Sequence, residues 1–316
     1  MNAIRLHAFG PAANLTYEPV PDPEPRPGQV RIAVDTAGVH LIDTTIRSGR
    51  QMGPLPLPDL PAIPGREVAG TVDALGDGVD PAWLGRRVVA HLGVASAGYA
   101  ELAVREVEHL HALPDGLPAD VAVAMIGTGR TAMAILDDAA RIAVGDVVLV
   151  TAAAGGLGAL LSQAARRAGA TVIGAAGPAK LDRVTADVRV DYTRPDWTDA
   201  IEGDVTVVLD GVGGAAGRAA FERLARGGRH VLYGWSSGEM TPVTTADIVA
   251  RSVTVGSALV RPGDLRALEE RALAAAADGT LTPLLTRFPL AEAAAAHAAL
   301  EARETIGKVV LLARTP

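Results

Sequence analysis

The segment Val147-Val148-Leu149-Val150-Thr151-Ala152-Ala153-Ala154-Gly155-Gly156-Leu157-Gly158 carries the strongest chemical signal in this chain. It runs from an apolar strand through a glycine turn into an Ala- and Leu-rich helix. In the form Ala153-x-Gly155-x-x-Gly158, small residues at Ala153, Ala154, Gly155, Gly156 and Gly158 permit a tight turn and close approach of backbone N–H groups to a pyrophosphate. Leu157 falls in the first turn of the helix, whose N-terminus favours negative charge. This spacing predicts a dinucleotide site.

Which dinucleotide is decided at the end of the next strand, where an acidic residue would bind a ribose 2'-hydroxyl and repel a 2'-phosphate. Here the sequence is Gly174-Ala175-Ala176-Gly177-Pro178-Ala179-Lys180, with no acid. Lys180, with Arg183 beyond it, can reach a phosphate, so NADPH is the expected cofactor. A second glycine cluster, Asp210-Gly211-Val212-Gly213-Gly214, closes a later strand, and its backbone is expected to line the nicotinamide side.

These residues need a scaffold. After Pro114 short apolar strands alternate with helices, as in a parallel sheet covered on both faces. Strands are expected at 147–151, 171–175, 188–191, 205–210, 229–233 and 253–257. Helices are expected at 157–168, 215–224 and 120–139, the last interrupted by Gly127 and Gly129 for a packing or ligand reason. The front of the chain reads as an all-β module, with strands at 30–36, 68–75, 87–90 and 99–104 and a Pro-rich connection at 54–64, near a cleft. Past Pro262 come Ala-rich helices at 264–278 and 291–302 and apolar strands at 284–288 and 309–313. The fold class is therefore α/β: a mainly-β domain over 1–118, a doubly wound six-stranded parallel sheet over 119–261, and a C-terminal segment over 262–316.

Composition narrows the function. With 29 Lys and Arg against 36 Asp and Glu, net charge is -7 and no basic block marks nucleic acid as a partner. There is no cysteine, which removes disulfides, thiolate-ligated zinc and cysteine nucleophiles together. The N-terminus has no apolar block of signal-peptide type, and the apolar stretch 147–161 is too short for a bilayer. A cytoplasmic protein without a membrane partner is expected.

Together these pieces resemble the medium-chain dehydrogenase/reductase superfamily, in particular its zinc-independent quinone oxidoreductase or zeta-crystallin branch. The likeness covers nearly the whole chain. It rests on Ala37-Gly38-Val39-His40-Leu41-Ile42-Asp43-Thr44-Thr45-Ile46-Arg47-Ser48-Gly49, Pro64-Gly65-Arg66-Glu67-Val68-Ala69-Gly70, the glycine turn, Arg226-Gly227-Gly228-Arg229 and Ile306-Gly307-Lys308-Val309-Val310. The resemblance implies a GroES-like catalytic domain, a Rossmann domain, and a C-terminal segment that returns to the catalytic domain. Where zinc-dependent members place metal ligands, this chain has His40, Arg66 and Thr128, which is no tetrahedral zinc site, so no metal is expected.

The activity implied is hydride transfer from NADPH to a quinone or an α,β-unsaturated carbonyl, a small electrophilic substrate that needs positioning more than a Lewis acid. The alternatives are an enoyl-thioester reductase of fatty-acid or polyketide-type metabolism and a non-catalytic NADPH-binding protein. His40 is the candidate for polarising the carbonyl or relaying a proton, although the branch usually has Asn there. Thr45 stands where Tyr is common. By the same resemblance Thr128 and Thr131 approach the nicotinamide, Lys180 and Tyr192 the 2'-phosphate, and Gly211 with Val212 the ribose edge. Gly177, Gly234, Trp235, Ser236 and Lys308 complete the cofactor set, and His40, Thr45 and Trp235 the substrate pocket. A homodimer formed through the strand at 253–260 is expected from the family.

Overall fold

The computed structural model describes residues 1–51, 56–93, 96–257 and 265–314. Its strands in chain order are β1 (Asn2–Leu6), β2 (Leu15–Pro19), β3 (Gln29–Val39), β4 (Glu67–Leu75), β5 (Arg87–His91), β6 (Leu102–Glu106), β7 (Leu110–Ala112), β8 (Val147–Val150), β9 (Thr171–Ala176), β10 (Val188–Asp191), β11 (Val205–Asp210), β12 (Leu224–Leu232), β13 (Thr254–Ser257), β14 (Leu285–Pro289) and β15 (Lys308–Leu312). The chain divides into two compact units, one of residues 1–127, 273–280 and 285–316 and the other of residues 128–272 and 281–284. The first division thus falls inside the helix Ala119–Ala140, later than the expected change at 118/119. The expected division at 261/262 lies outside the described residues.

In the first unit a sheet runs in the order β14-β15-β3-β4-β5-β7, with β6 also on β3. Strand β3 is long enough to hold two partners on one edge: β6 along 29–33 and β15 along 36–39. The end of the chain is therefore stitched into its beginning by antiparallel pairs such as Val39 with Val309. Val30, Ile32, Val34, Val68, Val72 and Leu311 form the core, joined by the fully buried Tyr99. The all-β expectation needs one correction. A helix, Leu41–Arg47, follows β3 directly, and its Asp43 accepts a hydrogen bond from the His40 N–H at 2.8 Å as the N-terminal cap. Its β-branched Ile42, Thr44, Thr45 and Ile46 hide that helix from propensity.

The second unit holds an all-parallel sheet in the order β10-β9-β8-β11-β12-β13. In chain order that is the doubly wound arrangement, with the reversal between β8 and β11, where such sheets open a ligand crevice at their carboxyl ends. The helix Gly156–Arg167 buries Ala159, Leu160, Leu161 and Ala165 and ends with Arg166 and Arg167 against its negative pole. The helix Thr245–Arg251, absent from the sequence reading, starts at a reciprocal Thr244–Asp247 cap. Strand β13 is the sheet edge; residues 258–260 of the proposed pairing strand lie outside the described residues.

Candidate functional site

The second unit places the glycine turn at the carboxyl end of β8, the central strand. Ala152 adopts φ +52°, uncommon for a residue with a side chain and a mark of local strain. The turn this creates is tight: a Cβ on Gly158 would stand 2.2 Å from the Ala152 carbonyl oxygen, so only glycine lets the helix start so close to the strand. The first N–H groups of the helix Gly156–Arg167 have no acceptor within the helix, which makes its start an anion site. Ala153 and Ala154 are buried beneath it.

A network that the sequence reading missed holds the neighbouring glycine cluster. Asp210, fully buried, accepts hydrogen bonds from the Thr151 hydroxyl at 2.8 Å, the Val212 N–H at 3.0 Å and the Gly213 N–H at 3.1 Å, while Thr241 donates to its other oxygen. Burial would raise the Asp210 carboxyl, but hydrogen bonds, His230 and Thr241 foremost, bring it to about 2. Tyr233 donates to the Thr151 carbonyl at 2.5 Å, and its ring fills the space that a side chain at Gly211 would need. Asp210 thus ties the turns after β8 and β11 together.

Other expected cofactor residues are in the same unit. Gly177 and Lys180 follow β9 at the short turn Pro178–Arg183, and Tyr192 follows β10, the strand paired with β9. Gly234, Trp235 and Ser236 follow β12, with the Ser236 N–H on the Gly211 carbonyl at 3.1 Å. Thr128, nearly buried, and Thr131 lie on the helix Ala119–Ala140.

In the first unit, strand register builds a charged cluster. Val39 pairs with Val309, so His40 lies beside Lys308; Ala37 pairs with Val68, so Glu67 lies beside Gly38. The Glu67 carboxylate, wholly buried, meets His40 Nε2 at 2.7 Å and Lys308 Nζ at 2.8 Å, and these two nitrogens are 2.7 Å apart. Beyond those two nitrogens neither Glu67 oxygen has a hydrogen-bond partner among the described residues. Burial alone would raise the Glu67 carboxyl; His40 and Lys308 overcome it and hold it well below the usual carboxylate range. A Cβ on Gly127 would stand 1.7 Å from Glu67 Oε1, so this glycine is the space in which Glu67 sits. That is the packing reason expected for the interruption of the long helix.

Lys308, expected beside the cofactor, lies in the first unit, where its side chain is 4% exposed and its ammonium meets Glu67 and His40. The His40 side chain is 26% exposed and remains reachable. The same unit contains a cavity of about 540 Å³, walled by Leu6, Ile46, Leu57, Arg66 and the described part of the Pro-rich connection, 56–64. His40 and Thr45, expected in the substrate pocket, are not among its walls.

The zinc positions can be tested on this geometry. Among the described residues no three His, Asp or Glu side chains converge as a metal would require. The single imidazole and carboxylate at His40 and Glu67 already share an ammonium, which repels a second cation. The donor set does not fit zinc.

A glycine turn at the reversal of a six-stranded parallel sheet, joined to a sheet unit closed by the end of the chain, defines the GroES-like plus Rossmann architecture of the dinucleotide-binding oxidoreductases. An alcohol dehydrogenase GroES-like domain matches residues 26–115 and a zinc-binding dehydrogenase domain residues 184–311. A quinone oxidoreductase of Pseudomonas aeruginosa is 32% identical over 98% of both chains. Among solved structures, an NAD-dependent alcohol dehydrogenase superposes with a TM-score of 0.89 at 30% identity, covering 99% of this chain and 100% of that one. Escherichia coli quinone oxidoreductase complexed with NADPH gives a TM-score of 0.85 at 27% identity over 99% and 100% of the two chains. The chain belongs to the medium-chain dehydrogenase/reductase superfamily, in its quinone oxidoreductase, zeta-crystallin-like branch.

Proposed function

We propose that this protein is an NADPH-dependent, zinc-independent reductase that adds hydride to a quinone or an α,β-unsaturated carbonyl. The observation that carries the reading is the ammonium of Lys308 lodged between Glu67 and His40, where metal-dependent chemistry would need a cation site. An acceptor activated by its own conjugation needs no Lewis acid, only orientation and a proton. Support for the cofactor comes from the glycine turn and from the NADPH complex of the Escherichia coli relative.

When bound, the dinucleotide supplies the hydride. Ala153, Ala154, Gly155, Gly156, Leu157 and Gly158 would hold its pyrophosphate, Gly211 and Val212, the latter bonded to Asp210, would flank its ribose, and Lys180 with Tyr192 would receive the 2'-phosphate. Gly177, Thr128, Thr131, Gly234, Trp235 and Ser236 complete that surface. In the first unit Glu67 stays ionised and so is not the acid. Its charge is matched by the Lys308 ammonium, and it orients the His40 imidazole, through which a proton passes from solvent to the reduced acceptor. Hydride plus proton completes a two-electron reduction.

The test is NADPH oxidation with 1,4-benzoquinone, a simple enone and a crotonyl thioester, before and after dialysis against a chelator. Chelation is expected to leave turnover intact and the first two acceptors to outpace the thioester. Loss of rate on chelation, restored by zinc, overturns the metal-free reading, and a preference for the thioester moves the acceptor class. For His40→Ala we expect kcat about a hundredfold lower; an unchanged kcat removes its role.

A further inference from the structure

We infer that the cavity of the first unit receives an acceptor bearing a carboxylate, and that Arg66 is the residue that selects it. The inference rests on the reductase reading above and names a narrower substrate class.

The cavity wall is mostly apolar, with Leu6, Ile46, Leu57 and several prolines, yet three arginines, Arg5, Arg47 and Arg66, also line it. One of these is already committed. Arg47, 2% exposed, donates to the Gly10 carbonyl and to Glu301. Arg5 has Glu18 at 4.0 Å, beyond hydrogen-bond distance, and its buried Nε has no hydrogen-bond partner among the described residues. Arg66 is also uncommitted: its nearest counter-charge is Asp43, with Nε 3.9 Å from Oδ1, beyond hydrogen-bond distance.

Asp43 spends its other oxygen elsewhere, accepting from the His40 N–H at 2.8 Å and the Tyr99 hydroxyl at 3.1 Å. Among the described residues the Arg66 guanidinium therefore has no hydrogen-bond acceptor, although its side chain is only 19% exposed. A half-buried planar fork of donors beside an apolar chamber is satisfied best by a carboxylate, which accepts two parallel hydrogen bonds. The chamber's volume accommodates a small organic acid with room for a conjugated carbonyl. Asp43 and Asp59 on the wall exclude a dianion more strongly than a single carboxylate.

The experiment compares 4-oxopent-2-enoate with its methyl ester, which share the activated alkene and differ in the charge. In the unaltered enzyme kcat/KM for the acid is expected to exceed that for the ester about tenfold or more. In Arg66→Met the acid-to-ester ratio is expected to fall below one, with Arg66→Lys between the two. An equal loss for acid and ester, or no preference in the unaltered enzyme, overturns the assignment.

A second readout separates this inference from the reductase reading. Calorimetric titration with the saturated acid 4-oxopentanoate should show binding that Arg66→Met abolishes and that the methyl ester lacks, whether or not any acceptor is reduced. Absence of that difference in folded variants defeats the inference alone. Displacement of the acid by inorganic phosphate at equal concentration would replace the carboxylate with a phosphate as the ligand and overturn the class named here.

Discussion

Two fully buried carboxylates among the described residues, Asp210 in one unit and Glu67 in the other, are neutralised in opposite ways. Asp210 is held by hydroxyls, backbone N–H groups and one imidazole. Glu67 is held by an ammonium and an imidazole, with no backbone donor. Many short fixed dipoles around Asp210 immobilise the loops that own them, which suits a turn that must keep the same shape around a ligand. The imidazole and ammonium around Glu67 belong to side chains, so they hold the carboxylate without pinning a loop's backbone to it. A buried acid held by backbone and hydroxyl donors is thus a pin between loops, and one held by side-chain nitrogens is a packed charge cluster.

The largest effect should come from breaking the charge balance. Lys308→Met leaves Glu67 buried with one partner and is expected to cost about 3–5 kcal/mol in urea unfolding, while Lys308→Met combined with Glu67→Leu recovers most of it. A single-variant loss below about 1 kcal/mol would show that the cluster is not a tightly coupled ion pair.

Acid titration sharpens the contrast next. His297 is buried against Tyr99, and burial brings its imidazole to about 4, below the usual 6.5. Because the unfolded chain takes up this proton first, stability should decline as pH falls from about 6.5 to about 4, by up to about 3 kcal/mol. His297→Gln should flatten that part of the curve. The carboxylates act in a lower window: both Asp210 and Glu67 have lowered pKa values, so their contribution is present above about 4 and is lost as pH falls through the folded value, about 2 for Asp210. A pH curve for His297→Gln identical to that of the unaltered protein would refute the first assignment.

Asp210→Asn keeps the shape but turns an amide N–H toward groups that already donate. We expect a loss of about 1–3 kcal/mol in stability. Calorimetry should also show weaker NADPH binding, since Gly211 and Val212 are no longer fixed. The effect on binding should exceed that of Lys308→Met, the reverse of the order for kcat. The smallest change is that of Lys180→Ala, expected to lower the NADPH-over-NADH preference about tenfold, read as the ratio of dissociation constants; equal weakening of both would place the 2'-phosphate elsewhere.

Much of this was readable in one dimension. The six parallel strands, the glycine turn at 147–158 and the Ala-rich helices near the end follow from apolar runs of strand length and from glycines spaced for close approach, both of which are local properties. The short helix Leu41–Arg47 escaped because β-branched residues dominate it and its cap is a histidine backbone bonded to Asp43. The pairing of Thr151 with Asp210 joins residues far apart in sequence through two adjacent strands, and no spacing rule encodes it.

Sequence alone determined that this chain can hold a dinucleotide, because a strand, a turn of small residues and a helix start are contiguous and each is set by its own neighbours. It also exposed His40, Arg66 and Lys308 as unusual residues without showing what they face. Only tertiary structure decided that. Antiparallel register carries Lys308 from the end of the chain to His40, and Gly127 vacates the volume into which Glu67 fits. Burial then makes the charges depend on one another, an energy that belongs to the packed arrangement and to no segment by itself.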